Sequence, residues 1–463
     1  MTDYSKKRFL VIDDQPQARD ALRTVAQTLG AFTVEFASNY QDAIYRIRNN
    51  VPDIILCDYM LGEGRSGQQL LEELRRFKLL PDEVIFMMVT GEQSYEQVVS
   101  AVELVPDDYI IKPFSPDKLL LRLDRIVAKK NFFADYYKEK RREEFSKAIA
   151  LLEKKRNSEA GRPYRFEILR QQAEVLLASG DTTSAEAAYR DILDNHDFPW
   201  ARAGVARSLH KQNRLIEARQ EVERAIASTP HFFDAADLKA KICMAQGEHA
   251  EAQRVLDDVA KKTPRNFLRK RLLAEAATLN GDCETARQMM SEVIAGDTMP
   301  GAVSAADRLT MARSHVNAGD KISGEHVLLS MRDSEVQNFE LAEQASFVAL
   351  LAICSPEKGK SRFAGLRPAL LATELGDTAR LDVMRAALSV SDNELADRQT
   401  EALIGGLDAK KVFSTIRTQY ALHGREKEFR EIQKKVALKR IHHDEVLPDE
   451  SDLSSGECSA SPE

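Results

Sequence analysis

The chain has 463 residues, with 66 Lys and Arg against 73 Asp and Glu, a formal net charge of −7. Its hydrophobic content of 43% excludes a wholly disordered chain, and the slight acidity excludes a generally basic nucleic-acid binder. Five Cys without a C-x-x-C pair offer neither a disulfide framework nor a zinc ribbon. The first residues reach acids after a short apolar run, too short for a signal peptide, and no run long enough to span a membrane follows. A cytoplasmic protein without membrane insertion is expected.

Residues 9–12 form a short apolar run closed by Asp13 and Asp14. Residues 17–30 carry helical spacing (Ala18, Leu22, Val25, Ala26, Leu29) and a Gly stop. Residues 32–36 alternate like a strand, 40–48 return to helical spacing, and 53–57 are apolar on both faces, as a central parallel strand should be. A Gly-rich loop then leads into a helix at 68–77. Residues 83–89 read as another buried strand, 94–104 as a helix and 108–112 as a short strand. Pro116 opens a long helix that runs on past Ala128 to Arg142. Five strands alternating with five helices predict a doubly wound parallel sheet over residues 1–130.

Beyond residue 130 the strand signal vanishes and amphipathic helices take over. Ala206, Ala240 and Ala274 are 34 apart, as are Ala218, Ala252 and Ala286, Pro230 and Pro264, and Gly247 and Gly281. Four columns sharing one period predict repeated helix–turn–helix units. Ala173, Gly180 and Ala185 extend the pattern backward, and Ala312, Gly319 and Gly324 extend it forward after an insertion. The helical region is expected over 131–441, clearest at 166–333. Residues 442–463 hold seven acids, no Lys or Arg and no apolar period, and read as a disordered acidic tail. The tail accounts for the whole net charge, so the rest of the chain is balanced.

In an open parallel sheet, chemistry collects at the carboxyl ends of the strands. Here those ends carry Asp13, Asp14, Asp58, Thr90 and Lys112, which are three carboxylates, a hydroxyl and an ammonium on one rim. Hard oxygen ligands at that density suit Mg²⁺. A carboxylate can also act as a nucleophile and form an aspartyl phosphate, with Lys112 stabilising the transferring phosphoryl group. Cys57 points to the other side of its strand and is read as core.

The set Asp13-Asp14, Asp58, Thr90 and Lys112-Pro113-Phe114 resembles the receiver domain of two-component response regulators, over about residues 6–130. The resemblance implies strand order 2-1-3-4-5. It implies Asp58 as phosphoacceptor, Asp13, Asp14 and Asp58 as Mg²⁺ ligands with the Met60 backbone carbonyl, and Lys112 on the phosphoryl group. Thr90 and Tyr109 would be the switch residues. A sensor histidine kinase or phosphotransfer protein would be the donor, and the chain would be a signalling protein, not an output enzyme. Leu61-Gly62 and Gly91 depart from the family pattern without removing a reacting group.

The 34-residue units resemble the tetratricopeptide repeat, which implies an all-α solenoid that binds an unidentified protein on its concave face. Placing the columns puts Arg170, Trp200, Arg207, Asp237, Lys241 and Arg271 on that face. Its mixed charge suits a peptide or helix of both signs, and equally a solvated face. Two other readings stand beside regulated protein binding. One is a nucleic-acid-binding regulator resting on Lys138, Lys140, Arg141 and Arg142, although Glu139, Glu143 and Glu144 interleave that run. The other is a constitutive scaffold with vestigial phosphorylation. A homodimer is compatible with each.

Overall fold

The computed structural model describes residues 2–62, 66–76, 78–91, 106–230, 232–264, 266–295, 304–406 and 409–444. It divides into two compact units, Met1–Asp320 and Lys321–Glu463.

The first unit opens with β1 (Arg8–Ile12), α1 (Pro16–Thr28), β2 (Thr33–Ala37), α2 (Tyr40–Asn49), β3 (Ile54–Asp58), α3 (Gly67–Arg76), β4 (Ile85–Thr90), β5 (Asp108–Ile111) and α4 (Pro116–Arg141). The five strands form one parallel sheet in the order β2-β1-β3-β4-β5. The period-two alternation of side chains explains why the inner strands are apolar throughout. Leu10, Ile12, Ile55, Cys57, Phe86 and Met88 pack toward α2 and α3, against Ile44, Ile47, Leu70 and Leu74. Phe9, Val11, Ile54, Leu56, Met87 and Val89 pack toward α1 and α4, against Leu22, Ala26, Leu119 and Leu123. The helix expected at 94–104 lies outside the described residues.

Ser115 caps α4 by accepting the Lys118 amide at 3.3 Å, and Pro116 takes the first turn. The helix begins on the sheet and ends beyond it. Phe133, Tyr136 and Tyr137 in its second half pack with Ala148 and Leu152 of α5 (Phe145–Arg156) and with Ile168 and Val175 of α6 (Arg165–Ala178). One continuous helix therefore belongs to two hydrophobic cores. Ion pairs fasten it to the sheet domain: Lys130 to Asp107 at 2.7 Å, Lys140 to Asp82 at 3.1 Å and Arg141 to Glu83 at 2.8 Å.

The repeat pairs follow as α6 with α7 (Thr182–Asn195), then α8 (Pro199–Lys211) with α9 (Leu215–Ser228). Next come α10 (Phe233–Gln246) with α11 (His249–Lys262), and α12 (Phe267–Asn280) with α13 (Cys283–Ala295). First helices start at 165, 199, 233 and 267, which is the period of 34 in the backbone itself. The alanine columns are fully buried at the close approaches between helices. The turn column takes positive φ in every unit: Gly180 at 90°, Asn213 at 60°, Gly247 at 82° and Gly281 at 81°. Asn213 replaces Gly because a short polar side chain tolerates the left-handed region. The unit closes with α14 (Ala305–Asn317), where Ser304 and Asp307 form a reciprocal cap.

The second unit is helical throughout its described residues, from Lys321–Leu329 to Glu426–Asp444. Its core gathers Phe363, Leu370, Val383, Met384, Leu403, Ile416, Tyr420 and Phe429. The Tyr420 hydroxyl donates to Asp397 at 2.8 Å, and Arg425 reaches the same carboxylate at 3.0 Å. The tail expected from residue 442 needs one correction. The last helix takes in residues 442–444, because no Pro or Gly interrupts its hydrogen-bond ladder before Pro448. Residues 445–463 lie outside the described ones.

Candidate functional site

β1 and β3 are neighbours, and the chain leaves them to opposite faces, so a crevice opens at their carboxyl ends. Asp13 and Asp14 follow β1, Asp58 closes β3, Thr90 closes β4 and Lys112 follows β5. The parallel register sets Asp58 beside Val89 and Thr90 beside Ile111, which aligns these ends along one rim.

The Lys112 ammonium donates to Asp13 Oδ2 at 2.8 Å and to Asp58 Oδ1 at 2.9 Å. The other Asp58 oxygen accepts the Met60 amide at 3.0 Å. Asp13 is almost fully buried, accepts the Gln15 amide at 2.9 Å through Oδ1, and has its carbonyl held by Arg19 at 2.7 Å. Asp14 is exposed. Ligand oxygens of Asp13, Asp14 and Asp58 lie within 4.8 Å of one another. This all-oxygen set, open on the Asp14 side, fits a hard divalent cation.

Burial raises the Asp58 carboxyl above its ordinary value, while Lys112 and the Met60 amide pull the other way. Burial also opposes the Lys112 ammonium, but its hydrogen bonds to Asp13 and Asp58 outweigh this and raise its pKa. Cys57 is buried beside Asp58, and burial pushes its thiol well up, so it is an inert core residue.

Thr90 is buried at the rim, and its carbonyl accepts the Lys112 amide at 2.7 Å. Tyr109 is half-buried, pairs with Met88 and packs on the α2–α3 side of the sheet. Two glycines that carry no chemistry shape the site. A Cβ on Gly67 would lie 2.4 Å from the Asp58 carbonyl oxygen and 2.7 Å from Cys57 Sγ. Gly62 has φ of 70°, and a Cβ there would lie 3.2 Å from Asp14 Oδ2. Their signal in the sequence is the Gly-rich loop itself. Gln15 and Arg19 carry no such signal.

The six groove positions are engaged to different degrees within the chain. Arg170 pairs with Glu174 at 2.8 Å and lies over the Trp200 ring, centroid distance 5.5 Å. Trp200 is stacked on Phe198. Arg207 is half-buried and acts electrostatically on Tyr189 and Asp234. Asp237 makes a two-pronged pair with Arg269, both contacts at 2.8 Å, and Arg269 also donates to Thr263. Lys241 is exposed. Arg271 pairs with Asp307 at 2.8 Å and faces Glu72 of α3 at 3.6 Å. Sequence reasoning missed Arg269 and Glu72. The basic run at the end of α4 is also engaged, since Lys140, Arg141 and Arg142 each face a carboxylate.

The family profile of the response regulator receiver domain matches residues 9–124, and that of the tetratricopeptide repeat matches residues 176–242. The phosphate regulon transcriptional regulatory protein PhoB of Escherichia coli is 35% identical over 121 residues, which is 26% of this chain and 52% of that protein. Its namesake from Pseudomonas aeruginosa matches to the same extent, 35% over 121 residues. The chain thus spans about half the length of these curated relatives. A CheY-like receiver domain protein from Methanospirillum hungatei is 30% identical, covering 27% of this chain and 96% of that one with a TM-score of 0.25. Among the described residues, no helix is long and apolar enough to cross a membrane.

Proposed function

From the premise that this chain joins a response regulator receiver domain to tetratricopeptide repeats, we propose that it is a two-component response regulator phosphorylated on Asp58, with protein binding through its repeats as the output. The observation that carries this reading is the Asp58 carboxylate held between Lys112 and the Met60 amide, beside Asp13 and Asp14. The donor is a phosphohistidine of a sensor kinase or phosphotransfer protein.

In the transfer, an Asp58 oxygen attacks phosphorus, an O–P bond forms, the P–N bond breaks and the imidazole leaves with the electron pair. Lys112 is placed to stabilise the phosphoryl oxygens, and it holds the Asp58 carboxylate oriented beforehand. Asp13, Asp14 and Asp58, with the Met60 carbonyl, would hold Mg²⁺. When bound, the cation supplies charge neutralisation to the transferring group. Thr90 and Tyr109 respond to the new charge, which shifts the balance between two arrangements of the receiver. A cytoplasmic location belongs to this reading.

The test is incubation of the full chain with Mg²⁺ and a small acyl phosphate, beside Asp58→Asn. Wild type is expected to take up an acid-stable, base-labile phosphoryl group and the variant none. Absence of uptake by wild type, or equal uptake by the variant, overturns the assignment.

A further inference from the structure

A helix lying on a sheet normally shows its polar face to water. α3 does not. Leu70, Leu71 and Leu74 face the sheet core, yet Gln68, Gln69, Glu72 and Glu73 are also buried, none more than 6% exposed. The start of α12 in the fourth repeat pair lies over this polar face. Glu72 Oε2 accepts the amide of Phe267, the first residue of α12, at 3.1 Å. Glu72 Oε1 accepts no hydrogen bond among the described residues and faces the Arg271 guanidinium at 3.6 Å. The carboxylate thus sits on the positive end of a helix and beside a cation, which is favourable placement for an acid.

The same helix is tied to Asp58 at its other end. A Cβ on Gly67 would meet the Asp58 carbonyl, the Gly67 amide donates to the Tyr59 carbonyl at 2.9 Å, and the Tyr59 hydroxyl donates to Gln68 at 3.2 Å. One short, packed path therefore joins Asp58 to the helix that carries Glu72.

We propose that α3 and the start of α12 form an internal latch, pinned by Glu72, in which the receiver itself occupies the repeat surface around Phe267 and Arg271. The coupling of the latch to Asp58 rests on the phosphorylation reading above. The latch is also incompletely satisfied. Burial raises the Glu72 carboxyl to about 7, and only partial compensation comes from Arg271 and the Phe267 and Leu268 amides. The charged groups facing it are Arg271, with Asp307 behind, and its neighbour Glu73.

The test is amide hydrogen exchange of the full-length protein in Phe267 and Leu268, with phosphoryl uptake measured on the same samples. Glu72→Ala is expected to speed exchange there about tenfold or more, and Arg271→Ala to act in the same direction from the other side. Measured near pH 4.5, Glu72→Gln, which keeps an acceptor, is expected to stay near wild type. Acyl phosphate should speed the same amides in wild type but not in Asp58→Asn. Unchanged exchange in both alanine variants overturns the latch, even if phosphoryl uptake is normal. Faster exchange in both variants, with no phosphoryl uptake by wild type, leaves the latch standing and overturns the phosphorylation reading instead.

Discussion

The receiver rim and the repeat surface both gather charged residues, but they use them differently. On the rim, one ammonium bonds two of three carboxylates, and the third, Asp14, is exposed, so negative charge is left in excess beside an opening. On the repeats, Asp237 and Arg269 are matched with each other, and Arg271 is held by Asp307. The lesson is that charge at a site signals chemistry when it is unbalanced and accessible. Matched and buried charge mainly holds helices in place.

That contrast can be broken by experiment. Arg269→Ala should cost about 3–5 kcal/mol of stability in denaturant unfolding, because a fully buried side chain is lost together with its two-pronged pair to the half-buried Asp237 carboxylate. Its phosphoryl uptake should remain at the wild-type level. Lys112→Ala should do the reverse, with uptake slowed about a hundredfold in a time course with acyl phosphate. If Arg269→Ala abolishes uptake, the two regions are not separable in this way.

The Glu72 contact sits between the two regions and should respond to pH. Its carboxyl is raised in the closed state, to about 7 from 4.5, so the closed state binds the proton more tightly. Protection of Phe267 should therefore be full below about pH 4.5 and fall as pH rises through about 7, by about 300-fold at most. Exchange corrected for its intrinsic pH dependence checks this, and Glu72→Gln should be flat over the same window. A wild-type profile that matches the variant would show that Glu72 does not control the contact.

Two smaller effects concern backbone. Gly67→Ala should destabilise by about 1–3 kcal/mol, since the added Cβ would lie 2.4 Å from the Asp58 carbonyl oxygen. Thermal unfolding measures it, and phosphoryl uptake should fall with it. Asn213→Ala should cost about 1 kcal/mol and Asn213→Gly nearly nothing, because φ there is 60°. Equal stability of both variants would mean that the turn column does not depend on left-handed tolerance.

Much of the sheet and the rim was legible because their signals are local. An apolar run closed by Asp is readable in a few residues, and the strand ends of a parallel sheet must share one edge. The repeats were legible through a period of 34 that returns in the helix starts at 165, 199, 233 and 267. The groove was not legible in the same way. Column placement found Asp237 and Arg271 but could not show that Arg269, two residues before Arg271, would take Asp237 as its partner.

The sequence by itself determined the alternation of strands and helices, the acids and the lysine at the strand ends, and the helical repeat. All of these follow from residue type at short spacing. Only the tertiary structure decided which charges meet across long separations. Glu72 and Phe267 stand 195 residues apart, and α3 reads locally as an ordinary amphipathic helix with a wet polar face. Nothing in its spacing encodes the helix end that covers it. That burial depends on how far the repeats carry the chain before α12 reaches the receiver, which is a property of stacked geometry rather than of any one segment.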